Sequence, residues 1–161
     1  MSDAPSLSEF CAEMRQLAGV IEVPGEFLPT YGDPDRDGFR LSVSDDGAYV
    51  LAYSQDDLST VFIESLDANV VMEEVFAQVT HQFSLHELLE SQTWVAPEAV
   101  AVPSDLSEEG VRPSVEAIQR NSAAIEVRLM SRLNPEWGQR HRERSAKWER
   151  ELRYHYDGDR P

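Results

Sequence analysis

Residues 27–53 read FLPTYGDPDRDGFRLSVSDDGAYVLAY. Phe39, Leu41 and Val43 alternate with Arg40, Ser42 and Ser44, the two-residue period of a half-buried strand over 39–44. Asp45-Asp46-Gly47 is a hairpin signal, because the glycine accepts a backbone conformation that most residues resist. A second strand follows over 48–53, with Tyr49, Leu51 and Tyr53 on one face and Ala48, Val50 and Ala52 on the other. Beyond Ser54-Gln55-Asp56-Asp57, residues 59–64 (STVFIE) form a third. Connections this short predict an antiparallel meander.

Helical patterns flank this stretch on both sides. Upstream, Ser6-Leu7-Ser8-Glu9 fits a capping box. Leu7, Phe10, Cys11, Met14, Leu17 and Ala18 then recur at helical spacing, so a helix is expected from about Leu7 to Gly19, a plausible C-terminal stop. Downstream, Asp67 is a good N-cap for a helix or helix pair over 68–91. Its apolar stripe runs through Val71, Met72, Val75, Phe76, Val79, Phe83, Leu85, Leu88 and Leu89, a natural cover for the meander. Residues 93–113 hold Pro97, Pro103, Gly110 and Pro113 and read as a long loop. Ser114 is the expected cap of a third helix ending near Leu133. Asn134-Pro135 opens a fourth, expected to run to Tyr154, with a frayed tail from about 156. Trp137 and Trp148 share a face of that fourth helix. Packing onto the body is expected for Trp137, whereas Trp148 is open between core and partner contact. The expectation is one α+β domain over residues 1–161: a three-stranded antiparallel meander packed against about four helices.

The 161 residues carry 30 acids and 14 bases, a net charge of −16. The imbalance is local: residues 1–110 hold 22 acids and three bases (Arg15, Arg36, Arg40), while residues 111–161 hold 11 bases and eight acids. A surface this negative repels phosphate backbones and anionic lipid, which argues against nucleic-acid and membrane partners and favours a basic protein partner. The same charge also reads as plain solubility, with attraction between the two parts of the chain. No apolar run approaches the roughly 18 residues of a membrane span. A single cysteine, Cys11, excludes an intrachain disulfide framework, and the first ten residues lack the basic and apolar regions of a signal peptide. A cytoplasmic location is expected.

Catalytic signatures are missing. There is no P-loop, GxGxxG, GxSxG, CxxC or HExxH. His81 and His86 are five apart, not the four of a helical zinc pair, and His141 sits among arginines, where a protonated imidazole or surface exposure is expected rather than metal ligation. Cys11 lies in an apolar stripe and reads as an inert core thiol. Asp33, Asp35, Asp37 and Gly38 match the first half of a calcium loop, but Pro34 and Arg36 intervene and Ser44 stands where a bidentate Glu is needed. The expectation is therefore no enzyme, no cofactor and no metal.

Leu28-Pro29-Thr30-Tyr31-Gly32 precedes the strands, Val75-Phe76-Ala77-Gln78-Val79-Thr80 lies in the following helix, and Leu133-Asn134-Pro135-Glu136-Trp137 opens the last one, with Arg140 behind. With this pattern, over about residues 28–144, the chain resembles the immunity protein 63 family of bacterial polymorphic-toxin systems. It departs from that pattern in its acidic Asp56-Asp57 segment and its longer 93–113 loop. The resemblance implies a cytoplasmic protein that binds and neutralises one cognate toxin domain. Its acidic surface would cover a basic or anion-binding site on a nuclease, an NAD-consuming enzyme or another toxin. The contact candidates under this reading are Tyr31, Asp33, Asp35, Asp37, Asp45, Asp46, Asp56 and Asp57, with Tyr31 equally readable as a loop anchor. A non-enzymatic adaptor or scaffold domain that docks through the charged fourth helix is the alternative.

Overall fold

A computed structural model describes residues 5–31, 37–56, 58–91, 99–101, 111–113 and 115–157. It is α+β: four helices and a three-stranded antiparallel sheet, as the alternation and turn signals require. The order is α1 (Leu7–Val20), a single 3-10 turn (Gly25–Phe27), β1 (Gly38–Val43), β2 (Tyr49–Gln55), β3 (Leu58–Ser65), α2 (Ala68–Ser91), β4 (Ala99–Ala101), β5 (Val111–Pro113), α3 (Val115–Leu133) and α4 (Pro135–Asp157). The chain divides into two compact units, Met1–Thr80 and His81–Pro161, and the boundary falls inside α2.

In the first unit, α1 begins as its capping box dictates. The Ser6 hydroxyl accepts from the Glu9 backbone N–H, and the Glu9 carboxylate accepts from Ser6 N at 2.7 Å. The helix does not stop at Gly19. It continues to Val20 and closes on a Schellman motif, in which Val23 N–H donates to Ala18 O (3.0 Å) and Glu22 N–H to Gly19 O (3.3 Å). The left-handed residue of that motif is Glu22, at φ 59°, a conformation usually given to glycine. Val23 is buried, and its apolar anchoring offsets the strain.

The sheet order is β1-β2-β3, with Leu41 opposite Leu51 and Leu51 opposite Ile63. The β1–β2 loop is Asp45-Asp46-Gly47, with Gly47 at φ 87°. Ser44 N–H donates to Ala48 O and Gly47 N–H to Ser44 O, each at 2.9 Å. A bulge between Leu51 and Ala52 moves the β3 partner from Ile63 to Val61 and leaves Phe62 as the extra residue. The core of this unit consists of Phe10, Cys11, Met14 and Ala18 from α1, Ile21 and Val23 behind it, Leu41, Tyr49, Leu51 and Ala52 from the sheet, and Val71, Met72, Val75, Phe76 and Val79 from α2. Phe10 stacks on Tyr49 (centroids 4.9 Å), and the Tyr49 hydroxyl donates to the Pro5 carbonyl. Cys11 is fully buried and burial raises its thiol pKa, in keeping with an inert thiol.

At the head of α2, Asp67 accepts from Asn69 N–H at 2.9 Å and Val70 N–H at 3.4 Å, the expected N-cap. In the second unit, β4 pairs antiparallel with β5 inside the stretch expected to be a loop. Three-residue strands are too short to leave an alternation in the sequence. Residues 92–98, 102–110 and 114 lie outside the described residues, including the expected cap Ser114. Asn134 caps α4 through Glu136 N–H (2.9 Å), and α4 continues through Asp157 rather than ending at Tyr154. Trp137 is buried and Trp148 is exposed. The α3–α4 pair approaches closely at Gly138: a Cβ there would lie 1.9 Å from Ser131 Oγ and 2.8 Å from Ser131 Cα.

Two substitutions test this framework by urea denaturation of the full chain. Glu22→Gly relieves left-handed strain of about 1–2 kcal/mol, at the cost of about 0.5–1 kcal/mol of glycine entropy and of the Glu22 side chain's own interaction, so stability should change by less than about 1 kcal/mol. Gly138→Ala should destabilise it by about 1–3 kcal/mol, because the new methyl meets backbone as well as side chain.

Candidate functional site

Two arrangements of polar and aromatic side chains stand out, one in each unit. The first is the end of the sheet where β1 begins and the β2–β3 turn lies. Gly38 pairs with Ser54, Ser54 with Ser59, and Gln55 with Leu58, so Asp37 and Asp56 lie at the same end. Both are exposed. Asp56 has φ 48° within the two-residue turn closed by Gln55 and Leu58, a turn that demands positive φ and that Asp tolerates better than most residues. One residue pair further in, Phe39 faces Tyr53 edge-on at 5.1 Å, and Phe39 also meets Phe62 at 5.3 Å. Phe39 and Tyr53 are half-buried, Phe62 is 44% exposed and Leu58 is 76% exposed. The apolar face that is closed at Leu41 and Leu51 thus opens at this end into an aromatic patch rimmed by carboxylates.

The remaining candidates are divided. Asp45 and Asp46 lie in the β1–β2 loop at the opposite end of the sheet, a strand length or roughly 20 Å away. Asp46 accepts from the Ser44 hydroxyl at 2.5 Å, and this bond holds its pKa below the ordinary carboxylate value. The eight candidates are therefore not one patch. Tyr31 is 45% exposed, but its hydroxyl accepts from Arg15 Nη1 at 2.7 Å, and the Arg15 guanidinium lies 5.9 Å from its ring centroid. Thr30 bridges to Arg40 beside β1, so Tyr31 ties this loop to α1. Asp33, Asp35 and Asp57 lie outside the described residues.

The second arrangement is a buried carboxylate. Glu126 on α3 is 6% exposed. Its Oε1 receives the Ser122 hydroxyl at 2.5 Å and His81 Nδ1 at 3.0 Å, with Ser84 Oγ at 3.2 Å. Its Oε2 receives His141 Nε2 at 2.7 Å. Ser84 and Ser122 lie 2.7 Å apart. His141 is 7% exposed, which rules out the surface position that was one of its two expected readings: it stands on the inner face of α4 although arginines neighbour it in sequence. Its Nδ1 is buried and has no partner among the described residues. Burial pushes the Glu126 carboxyl up, but the hydrogen bonds from His141, His81 and Ser122 outweigh it and hold the group well below the usual carboxylate range. The Glu126 hydrogen bond raises the His81 pKa against the opposing effect of burial.

His81 Nδ1 and His141 Nε2 both aim at the Glu126 carboxylate, not at a serine hydroxyl, and the Ser122 hydroxyl donates to that same carboxylate. Among the described residues, no three His, Cys, Asp or Glu side chains are placed to hold a metal ion, and no helix is long and apolar enough to cross a membrane. The cluster escaped sequence reasoning because its members come from three helices. Its signal was nonetheless present, in polar residues at apolar-stripe positions: His81 and Ser84 in register with Leu88, and Ser122 and Glu126 in register with Leu129 and Met130. Compared with known proteins, the chain matches no family model, no curated protein and no solved structure.

Glu126→Ala should cost about 3 kcal/mol in urea denaturation, because it strands buried donors on three helices. The pH dependence follows from the directions of the shifts. Glu126 titrates below its ordinary 4.5, so its contribution is complete above that value and lost as pH falls. His81 titrates above its ordinary 6.5, so its contribution is complete below that value and lost as pH rises through the raised pKa. The contribution of the pair should peak between pH 4.5 and 6.5 and flatten in Glu126→Gln.

Proposed function

We propose that the chain is a non-enzymatic immunity protein that binds a cognate bacterial toxin domain in the cytoplasm of the producing cell and covers a basic or anion-binding site on it. The observation that carries this reading is the sheet end in the first unit: a half-exposed aromatic cluster, Phe39, Tyr53 and Phe62, rimmed by the exposed Asp37 and Asp56. Aromatic anchors inside a polar rim are the usual composition of an energetic hot spot. The rim charge adds steering. Residues 1–80 hold sixteen acids against three arginines, and no lysine or arginine occurs between Arg40 and Arg112. The resemblance to the immunity protein 63 family points the same way.

Asp37 and Asp56 therefore take over from the wider set as the contact candidates. Asp45 and Asp46 act at most through the long-range field, and Tyr31 acts mainly as an anchor for its loop. A second reading, an adaptor docking through α4, is favoured by one observation: Trp148 stands 56% exposed on that charge-mixed helix.

Co-expression with a toxin domain encoded beside it should restore growth of the host cell, and the two proteins should co-purify. In stopped-flow association at low salt, the double variant Asp37→Asn/Asp56→Asn should bind roughly threefold more slowly, with the difference shrinking as salt rises. Asparagine is chosen because it tolerates the left-handed backbone at position 56. Unchanged growth inhibition, or equal rates at low salt, would contradict the reading.

A further inference from the structure

We infer that the outer edge of β3 is a docking edge for an extended, basic segment of the partner protein, which adds to the sheet as a fourth strand. This rests on the proposed binding function for the identity of the partner. It stands on separate observations for the mode of attachment.

β3 is an edge strand: the sheet order is β1-β2-β3, and among the described residues no strand pairs with its outer side. It is eight residues long, and residues 58–62 are exposed at every position, on both faces of the sheet. Leu58 is 76% exposed, Val61 56% and Phe62 44%. Long apolar edges invite pairing, and proteins blunt them with lysine, proline or inward-pointing charges. The sequence LSTVFIES has no lysine and no proline, and its only charge is Glu64. Among the described residues the bulge at Phe62 is the protective device beside Glu64, and it turns that ring toward Phe39 and the aromatic patch. An added strand would satisfy the outer backbone groups and set alternate side chains against the exposed apolar positions on either face.

Charge selects the occupant. Asp56 and Glu64 bracket the strand and Asp67 follows it, all exposed, within a stretch free of lysine and arginine from residue 41 to 111. A second copy pairing edge to edge would bring two such surfaces together. A segment carrying Lys or Arg at alternate positions would meet carboxylates at both ends of the strand, where charge complementarity fixes register and speeds encounter.

The test is hydrogen–deuterium exchange on the full chain at low salt, with a synthetic peptide alternating lysine and valine as probe and its glutamate–valine counterpart as control. The lysine peptide should slow exchange over residues 58–65 roughly tenfold. The glutamate peptide should not, and the effect should be lost in Val61→Lys and in Leu58→Lys, both at exposed positions that leave the core intact. Unchanged exchange over 58–65 with the lysine peptide, or equal protection by both peptides, would overturn the inference. So would protection without peptide that grows with protein concentration alongside a dimeric mass, which assigns the edge to a second copy. The probe contains no toxin, so failure of the immunity reading leaves this protection intact.

Discussion

From Leu41 to Val111 the chain contains neither lysine nor arginine, and this shortage of cations governs how the first unit handles its carboxylates and what α2 can offer to a buried one. In the first unit the acids of the sheet turns have few local cations to pair with, so they stay in solvent at the ends of the strands. In the second, Glu126 is buried and must be compensated. The α2 helix can offer it only a histidine, since it carries no stronger cation. His81 from α2 and His141 from α4 share the two carboxylate oxygens, with Ser122 and Ser84 completing the shell around Oε1. A buried carboxylate bridged by imidazoles ties three helices together, but its strength follows pH in a way that an arginine pair would not.

The aromatic patch and the acidic rim follow from simple strand arithmetic. Residues 39, 41, 49, 51 and 53 share one face because side chains alternate. That face is closed over Leu41 and Leu51, yet it continues one residue pair further, to Phe39 and Tyr53, where the rings are only half covered. The bulge adds Phe62 from β3. The turns that end these strands need residues tolerant of left-handed backbone or of solvent, and Asp37 and Asp56 meet that need. Their position beside the rings is thus a by-product of hairpin geometry. Under the proposed binding function, the exposed Asp37 and Asp56 beside these rings make this end of the sheet the candidate surface for a basic partner.

Much of the fold was legible because its signals are local. The Ser6–Glu9 box, the Asp67 and Asn134 caps, and the Asp45-Asp46-Gly47 hairpin each act over three or four residues, and all are where expected. The end of α1 lies one residue past Gly19, at Val20, because Glu22 rather than a glycine adopts the left-handed conformation, beside buried Val23. The candidate site was legible only in part. Acidity and turn positions could be read, but which turns share an end of the sheet depends on register. His141 was misplaced because its neighbours in sequence are arginines, while the helix turns it inward to Glu126.

We propose that the end of the sheet at Asp37 and Asp56, with the adjoining β3 edge, is the partner-binding surface. Carboxyl footprinting by carbodiimide labelling, with and without the bound toxin domain, tests it most directly. Labelling of Asp37, Asp56 and Glu64 should fall on binding, while that of Glu136, Glu143 and Glu149 on α4 stays unchanged. Protection confined to α4, with Asp37 and Asp56 still fully labelled, would contradict it.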